Sequence, residues 1–443
     1  MLSRLALILA LLTSLPATAE QMRVQPGPDA LKSAIAGAHA GDVLLLAPGR
    51  YPGAVTIDRS VALDAADGVV IDGLGQGTVL TIAAPNVTVR GATITGSGLD
   101  GLELDAGIKI LKGADRALVE GNHLVGNLHG IDVHGGRDAR VVGNRIEGTQ
   151  NPKMNDRGNG IYVWNSPGAV IEGNEVRFGR DGIFANASRK NIFRNNTFRD
   201  LRFAVHYMYT NDSEVTGNVS IGNHLGFAIM FSDRVEVRDN LSLGDRSNGV
   251  MLNFANGGEV SGNLVRGGPE KCLFIYNAHK NLIYDNRFQS CDIGIHFTAG
   301  SERNVLTGNA FLANREQVKY VGTRHTEWSF EGRGNFWSDH SAFDLNGDAI
   351  ADSVFRPNDL MDHILWSQPA ASLLTGSPAV QLVRWSQSSF PAILPGGVTD
   401  SFPLMRPLEV PVPDALASEE AAIAGRWAKG QTDDIDIDDH ASH

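Results

Sequence analysis

The sequence lacks most of the features that would name a function class at once. It has two cysteines, Cys272 and Cys291, in 443 residues, which excludes a disulfide-dense scaffold and a four-cysteine metal cluster. Positive charge is in deficit. The 38 Lys and Arg against 50 Asp and Glu leave a formal net charge of -12. No basic stretch offsets it, so a nucleic-acid partner is not expected. Beyond the N-terminus no segment reaches 18 consecutive apolar residues, the length that would suggest a membrane-spanning helix. There is no phosphate-cradling glycine loop, no G-x-S-x-G elbow and no H-E-x-x-H helix, and nothing in the chain is equipped to hydrolyse ATP.

The N-terminus is a separate case. Arg4 precedes an apolar run from Leu5 to Leu12, followed by Pro16 and the small-residue stretch Ala17-Thr18-Ala19. Residues 1–19 read as a secretory signal peptide whose apolar run is too short to span a bilayer. The mature chain is then exported, to the periplasm in a Gram-negative host. Export permits a Cys272–Cys291 disulfide, and two free thiols or a pair of soft metal ligands are the alternatives.

Glycine is in excess: 50 residues, about one in nine against a usual share of roughly 7%. The excess follows a repeat. A turn pair ending in Asn recurs at Asn122, Asn144, Asn174, Asn196, Asn218, Asn240, Asn263, Asn286 and Asn309, spaced 22 or 23 apart except for one interval of 30. That interval carries an eight-residue polar insertion around residues 150–156. A second mark precedes most of these pairs by 13 residues: Gly130, Gly160, Gly182, Ala204, Gly226, Gly249 and Cys272, with Gly294 one residue further off. Short β-rich runs flank both marks. Coils of this length cannot bury their apolar face alone, whereas stacked coils share one core. Asn tolerates left-handed turn geometry and can bond to its equivalents up a column. The expected fold is all-β, a right-handed parallel β-helix of 22–23-residue coils over residues 20–335. A short helix from Pro28 to Ile35 caps its N-terminal end. Residues 336–406 read as a small helical and loop region. A Pro-rich linker, a short helix and an acidic tail fill residues 407–443, and the tail reads as a solvated end.

Repeat phase sorts side chains by face. The residues one and three after the Gly mark, such as Ile131 and Val133 or Phe227 and Ile229, are apolar and point inward. Those two and four after it must point outward. The outward set includes Asp132, His134, Tyr162, Trp164, Phe184, His206, Met208, Ala228, Met230, Met251, Phe274, Tyr276 and His296, and contains no Lys or Glu. A face rich in aromatics, Met and His is covered or binds something. Met208 and Met230 hold the same position on adjacent coils, His206 lies beside Met208, and Met251 is one coil on. Thioether with imidazole is a soft donor set that selects Cu(I), making His206, Met208, Met230, Met251 and His296 candidate ligands. Met residues filling a gap under a covering loop are the plain alternative. A second candidate is the stretch Asp344, Asn346, Asp348, Ile350 and Asp352, whose spacing matches a structural Ca²⁺ loop. Ala349 replaces the usual Gly there, and no Glu follows at the twelfth place.

Several blocks carry a resemblance. Gly334-Asn335-Phe336-Trp337-Ser338-Asp339, Asp344-Leu345-Asn346-Gly347-Asp348, Arg356-Pro357-Asn358-Asp359-Leu360, Ser377-Pro378-Ala379-Val380-Gln381-Leu382 and Tyr207-Met208-Tyr209-Thr210-Asn211-Asp212 resemble the NosD family. These are periplasmic copper-processing accessory proteins, within the carbohydrate-binding and sugar-hydrolase β-helix superfamily. The resemblance reaches residue 406. It implies a non-enzymatic role in assembling the copper–sulfide centres of nitrous oxide reductase. It further implies an ABC-type membrane subunit with a cytoplasmic ATPase and a copper-donor lipoprotein as partners. Trp366, Val380, Leu382 and Trp385 then become candidates for docking on the membrane subunit. The alternative reading is an enzyme or binder acting on acidic polysaccharide, with Asp132, His134, Tyr162 and His206 on one face.

Overall fold

The computed structural model describes residues 19–298, 300–322, 324–357, 377–389 and 397–427. Each coil contributes three short strands, and the strands stack in register into three parallel sheets of 13, 13 and 12 strands. We call them A, B and C in the order the chain visits them, so that Glu214–Thr216, Val219–Ile221 and Leu225–Met230 belong to A, B and C of one coil. The architecture is the expected right-handed parallel β-helix. Its interior is one continuous apolar core from Val24 to Val398.

The Asn column lies at the turn from sheet A to sheet B. The side chain of each Asn accepts from the one before it: Asn196 donates to Asn218 Oδ1 through its backbone N (3.0 Å) and its Nδ2 (2.9 Å), and Asn218 does the same to Asn240. The run continues without a break from Asn122 to Asn335. Buried turn backbone cannot reach water, so each Asn supplies the partner its neighbour's amide would otherwise lack. Asp400 closes the column, taking the Asn335 backbone N–H at 2.7 Å and the Trp337 indole N–H at 2.8 Å.

The glycine mark has a steric cause. A methyl group on Gly226 would collide with the carbonyl oxygen of Gly249 in the next coil, and one on Gly249 with Val265 of the core. This position therefore faces inward, as does the residue after it. Two successive inward residues break the strict alternation, and the residue before the mark (Asp181, Phe203, Leu225, Asn248, Lys271) joins the outer face of sheet C. Ala204 and Cys272, which replace Gly at the mark, are fully buried.

At the N-terminal end the expected helix, α1 (Ala30–Gly37), buries Leu31 and Ile35 against the first coil. The far end departs from the expectation. Sheet B gains a strand at Phe336–Trp337, beyond the expected boundary at 335, and the chain returns to pair Gly397–Thr399 with His325–Glu327. Trp337 stacks on Phe311 at 4.4 Å between ring centroids, with Phe355 at 5.0 Å, plugging the open end of the core. The stretch read as a linker runs back along sheet B. Arg287 binds the Leu408 carbonyl and Glu409, both at 2.8 Å. Four coils earlier Arg199 grips Glu419 through two bonds, at 2.6 and 2.8 Å. Glu419 lies in α3 (Asp414–Trp427), which follows α2 (Pro378–Ser389). The helices expected at 358–366 and 370–374, the signal peptide and the acidic tail lie outside the described residues.

Candidate functional site

The outer face of sheet C carries two parallel columns. In the first, Phe184, His206, Ala228, Met251, Phe274 and His296 follow one another in register. In the second, Asn186, Met208, Met230, Asn253 and Tyr276 do the same. Met208 and Met230 are thus direct neighbours, about 4.8 Å apart at the backbone. Met251 is not in their column: it pairs with Ala228, so it meets Met230 on the diagonal. Ala228 leaves a low place on the face between His206 and Met251.

His206 is held firmly. Asp181, fully buried, takes two bonds from Arg202 (2.8 and 2.7 Å) and lies 3.1 Å from His206 Nδ1. Burial alone would raise the Asp181 pKa, but Arg202 and His206 outweigh it and keep the carboxyl well below its ordinary range. An ionised Asp181 fixes His206 Nδ1 as the donor, so that in the neutral imidazole Nε2 is the nitrogen that carries the lone pair. That Nε2 is buried and has no hydrogen-bond partner. A carboxylate behind one ring nitrogen with the other left bare is how metal-binding imidazoles are set up. Phe184 stacks on the ring at 4.7 Å and Phe203 meets it edge-on at 4.9 Å.

Next to His206 the face is apolar. Phe203, Leu225, Ala228 and Met251 form a cluster separate from the interior core, with Met230 and Phe274 packed on it. A cavity of about 430 Å³ opens here, lined by Met230, Met251, Phe274, Tyr276 and His296 together with the charged Arg246, Glu270 and Lys271. Burial, aided by Lys319 and Lys271, pushes the His296 pKa down to about 4, so the ring is neutral at physiological pH. Its Nδ1 is buried without a hydrogen-bond partner.

The corner after the Met column is strained. Tyr209, Phe231 and Phe254 sit at φ of 51°, 49° and 50°, a conformation that costs an L-residue roughly 1–2 kcal/mol. Their rings stack at 5.2 and 5.1 Å, returning about 0.5–1.5 kcal/mol per pair. Each follows Met208, Met230 or Asn253 directly in sequence, and together they wall that side of the thioether column.

Comparison with known proteins agrees with this chemistry. The family model for NosD, periplasmic copper-binding protein, matches residues 147–342. A Stutzerimonas stutzeri protein named as a probable ABC transporter binding protein, NosD, is 40% identical over 375 residues, covering 82% of this chain and 86% of its own. Its namesake from Pseudomonas aeruginosa is 41% identical over 374 residues, covering 82% and 87%. This chain belongs to the NosD family. Among solved structures, an alginate lyase in complex with a trisaccharide covers 70% of the chain and 82% of its own, at 14% identity and a TM-score of 0.49.

The NosD family is one of periplasmic copper-binding proteins, and the soft donors described above fit such a cargo. Among the described residues no group of three or more His, Cys, Asp and Glu is set to hold a metal. Cys272 and Cys291 are joined in a disulfide and offer no thiolate. Asp344 accepts the backbone N–H groups of Gly347 (2.6 Å) and Ala349 (2.9 Å), Asp348 accepts that of Ile350, and Asp352 accepts that of Leu345. The stretch is thus a self-bonded loop whose Asn346 also donates to Asp348. Of the docking candidates, Val380 is buried and Leu382 exposed, both on α2, which also carries Trp385. Trp366 lies outside the described residues.

The sequence reading missed Asp181, Arg202 and Phe203, and missed that Asp132, Ala228, His206 and Met251 are buried despite facing outward. The available signal was weak: Asp181, Phe203 and Lys271 precede the mark in their coils, but Leu225, Asn248 and Ile293 do so in others. Asp132 is fully buried between Lys109 Nζ and His134 Nδ1, each 3.5 Å away, and Trp164 stacks on His134 at 4.4 Å. These groups lie several strands from the thioethers and pair among themselves. Among the described residues no helix is long and apolar enough to cross a membrane.

Proposed function

We propose that this chain holds Cu(I) as cargo on the outer face of sheet C and passes it on for assembly of the copper–sulfide centres of nitrous oxide reductase. The observation that carries the reading is the His206 imidazole. It is oriented by an ionised Asp181, bare at Nε2, and set two residues from Met208, one of a register pair of thioethers. Neutral imidazole and thioether together favour Cu(I) over Zn²⁺, Mg²⁺ or Ca²⁺. Phe184, Phe231, Phe274 and Tyr276 around them keep water and oxidants from a cation that water would destabilise. No bond in the cargo is made or broken apart from its coordination, so the role is that of a metallochaperone rather than an enzyme.

Membership of the NosD family supports the remaining parts of this reading. The signal peptide delivers the chain to the periplasm. There an ABC-type membrane subunit, driven by its cytoplasmic ATPase, holds it at the inner membrane through the C-terminal region that includes Trp366, Leu382 and Trp385. Val380 seats α2 on the protein. A copper-donor lipoprotein loads the face, and nitrous oxide reductase receives the ion. The Asp344–Asp352 loop has the oxygen donors for a structural Ca²⁺ ion.

Anaerobic titration with Cu(I) against a competing chelator tests the site. Met208→Ala and Met230→Ala each weaken binding. Unchanged affinity in both variants overturns it.

A further inference from the structure

The soft donors on this face outnumber what one Cu(I) ion can use, and they are not gathered at one point. His206 stands two strands from Met251, with Ala228 between, and Met251 stands two strands from His296, with Phe274 between. At about 4.8 Å per strand the two imidazoles are roughly 19 Å apart along the column, too far to share an ion. Each end nonetheless shows the same feature: a buried ring nitrogen without a hydrogen-bond partner, Nε2 in His206 and Nδ1 in His296. A buried polar atom left unpaired costs about 1–3 kcal/mol; His134 Nδ1 on the same face is also unbonded but has the Asp132 carboxylate 3.5 Å away, so His206 Nε2 and His296 Nδ1 mark the two ligand positions. The thioethers fill the interval. Met208 and Met230 lie beside His206, while Met230 and Met251 line the cavity that His296 also lines.

We infer that the face is a track with two stations for Cu(I): an inner one on His206, Met208 and Met230, and a cavity one on Met251 and His296. The inference rests on the copper reading above and extends it to a count and a path. An ion moves between stations by ligand exchange without change of oxidation state. Its bonds to His206 Nε2 and Met208 sulfur break as bonds to Met251 sulfur and His296 Nδ1 form, and Met230 can reach toward either. His206 and Met251 are both buried, at 7% and 8% exposure, and the cavity that Met251 and His296 line, but His206 does not, opens the second station to the outside. This gives loading and release a common door.

The test counts copper on the full chain. Anaerobic Cu(I) titration against a chelator of known affinity is expected to give two equivalents. His206→Gln removes one of them and His296→Gln removes the other, with circular dichroism confirming that each variant is folded. X-ray absorption on each singly loaded variant, expected to show nitrogen and sulfur scattering in both, checks the assignment on protein that retains one station. A wild-type stoichiometry of one overturns the second station and leaves the cargo site standing. Zero equivalents overturns the copper reading itself. Two equivalents that survive His296→Gln overturn the placement of the cavity station.

Discussion

Replacing Asp181 with Asn changes one atom and exposes the logic of the site. The carboxylate serves two partners, the Arg202 fork at 2.8 and 2.7 Å and His206 Nδ1 at 3.1 Å. The amide cannot serve both. If its oxygen faces Arg202, its NH₂ faces His206 Nδ1, the proton moves to Nε2, and the lone pair that would bind copper is gone. If its oxygen faces His206, the NH₂ opposes a largely buried guanidinium. Losing the carboxylate behind a metal-binding His typically costs 10–100-fold in affinity, or about 1.4–2.7 kcal/mol. Breaking a buried ion pair from one side costs about 3–5 kcal/mol of stability. We therefore expect Asp181→Asn to bind Cu(I) at least about tenfold more weakly in chelator competition and to melt earlier. The pH dependence has a defined sign. The folded pKa of Asp181 lies below its unfolded value of 3.8, so its contribution is present at and above about pH 5 and is lost as pH falls through the acid range. A folded Asp181→Asn protein with unaltered Cu(I) affinity would refute the claim that this carboxylate sets the His206 tautomer for metal.

Three further outcomes follow from the same structure. Asn218→Ala leaves the Asn196 N–H and the Phe193 carbonyl without their partners inside the wall; at about 1–3 kcal/mol per orphan, thermal denaturation should show a loss of several kcal/mol with Cu(I) affinity unchanged. Asp245 is fully buried, and burial, only partly offset by Ser242, Ser220 and the Asn223 N–H, raises its pKa from 3.8 to about 6. The unfolded chain therefore gives up this proton first, stability falls between about pH 4 and 6 by an amount of order 3 kcal/mol, and Asp245→Asn should flatten that fall and raise Tm at pH 7. Cys272→Ser with Cys291→Ser opens a loop of 19 residues' separation, expected to cost about 3 kcal/mol in a melt without weakening Cu(I) binding, which would instead drop if these sulfurs were ligands.

Sequence pattern reached the fold because the coil period, the Asn turns and the inward apolar pairs repeat many times over, so no single irregular coil can hide them. It also placed Met208 against Met230, since a register pair needs only the phase of the repeat. The phase argument failed at the residue before the Gly mark. Simple alternation sends Asp181, Phe203 and Leu225 inward. The close contact between successive coils at Gly226 and Gly249 turns two consecutive residues to the core and so puts these on the outer face. The same phase puts Met251 two places after its mark, in the column of His206 and Ala228, where the register has it. Contacts formed across long intervals left no local mark: Asp400 sealing the Asn ladder 65 residues from Asn335, and Glu419 reaching Arg199 across 220. Read locally, the second of these stretches is a proline-rich linker with a helix, and only sheet B shows where it lies.

The central claim is that thioethers and imidazole on the outer face of sheet C hold copper. X-ray absorption at the copper edge of the full chain, loaded anaerobically with Cu(I), tests it most directly. The account predicts mixed sulfur and imidazole-nitrogen scattering in wild-type protein, with the sulfur contribution reduced in Met208→Ala with Met230→Ala and unaffected by loss of the disulfide cysteines. Scattering from nitrogen and oxygen alone, or sulfur that persists undiminished in the double Met variant, would contradict it.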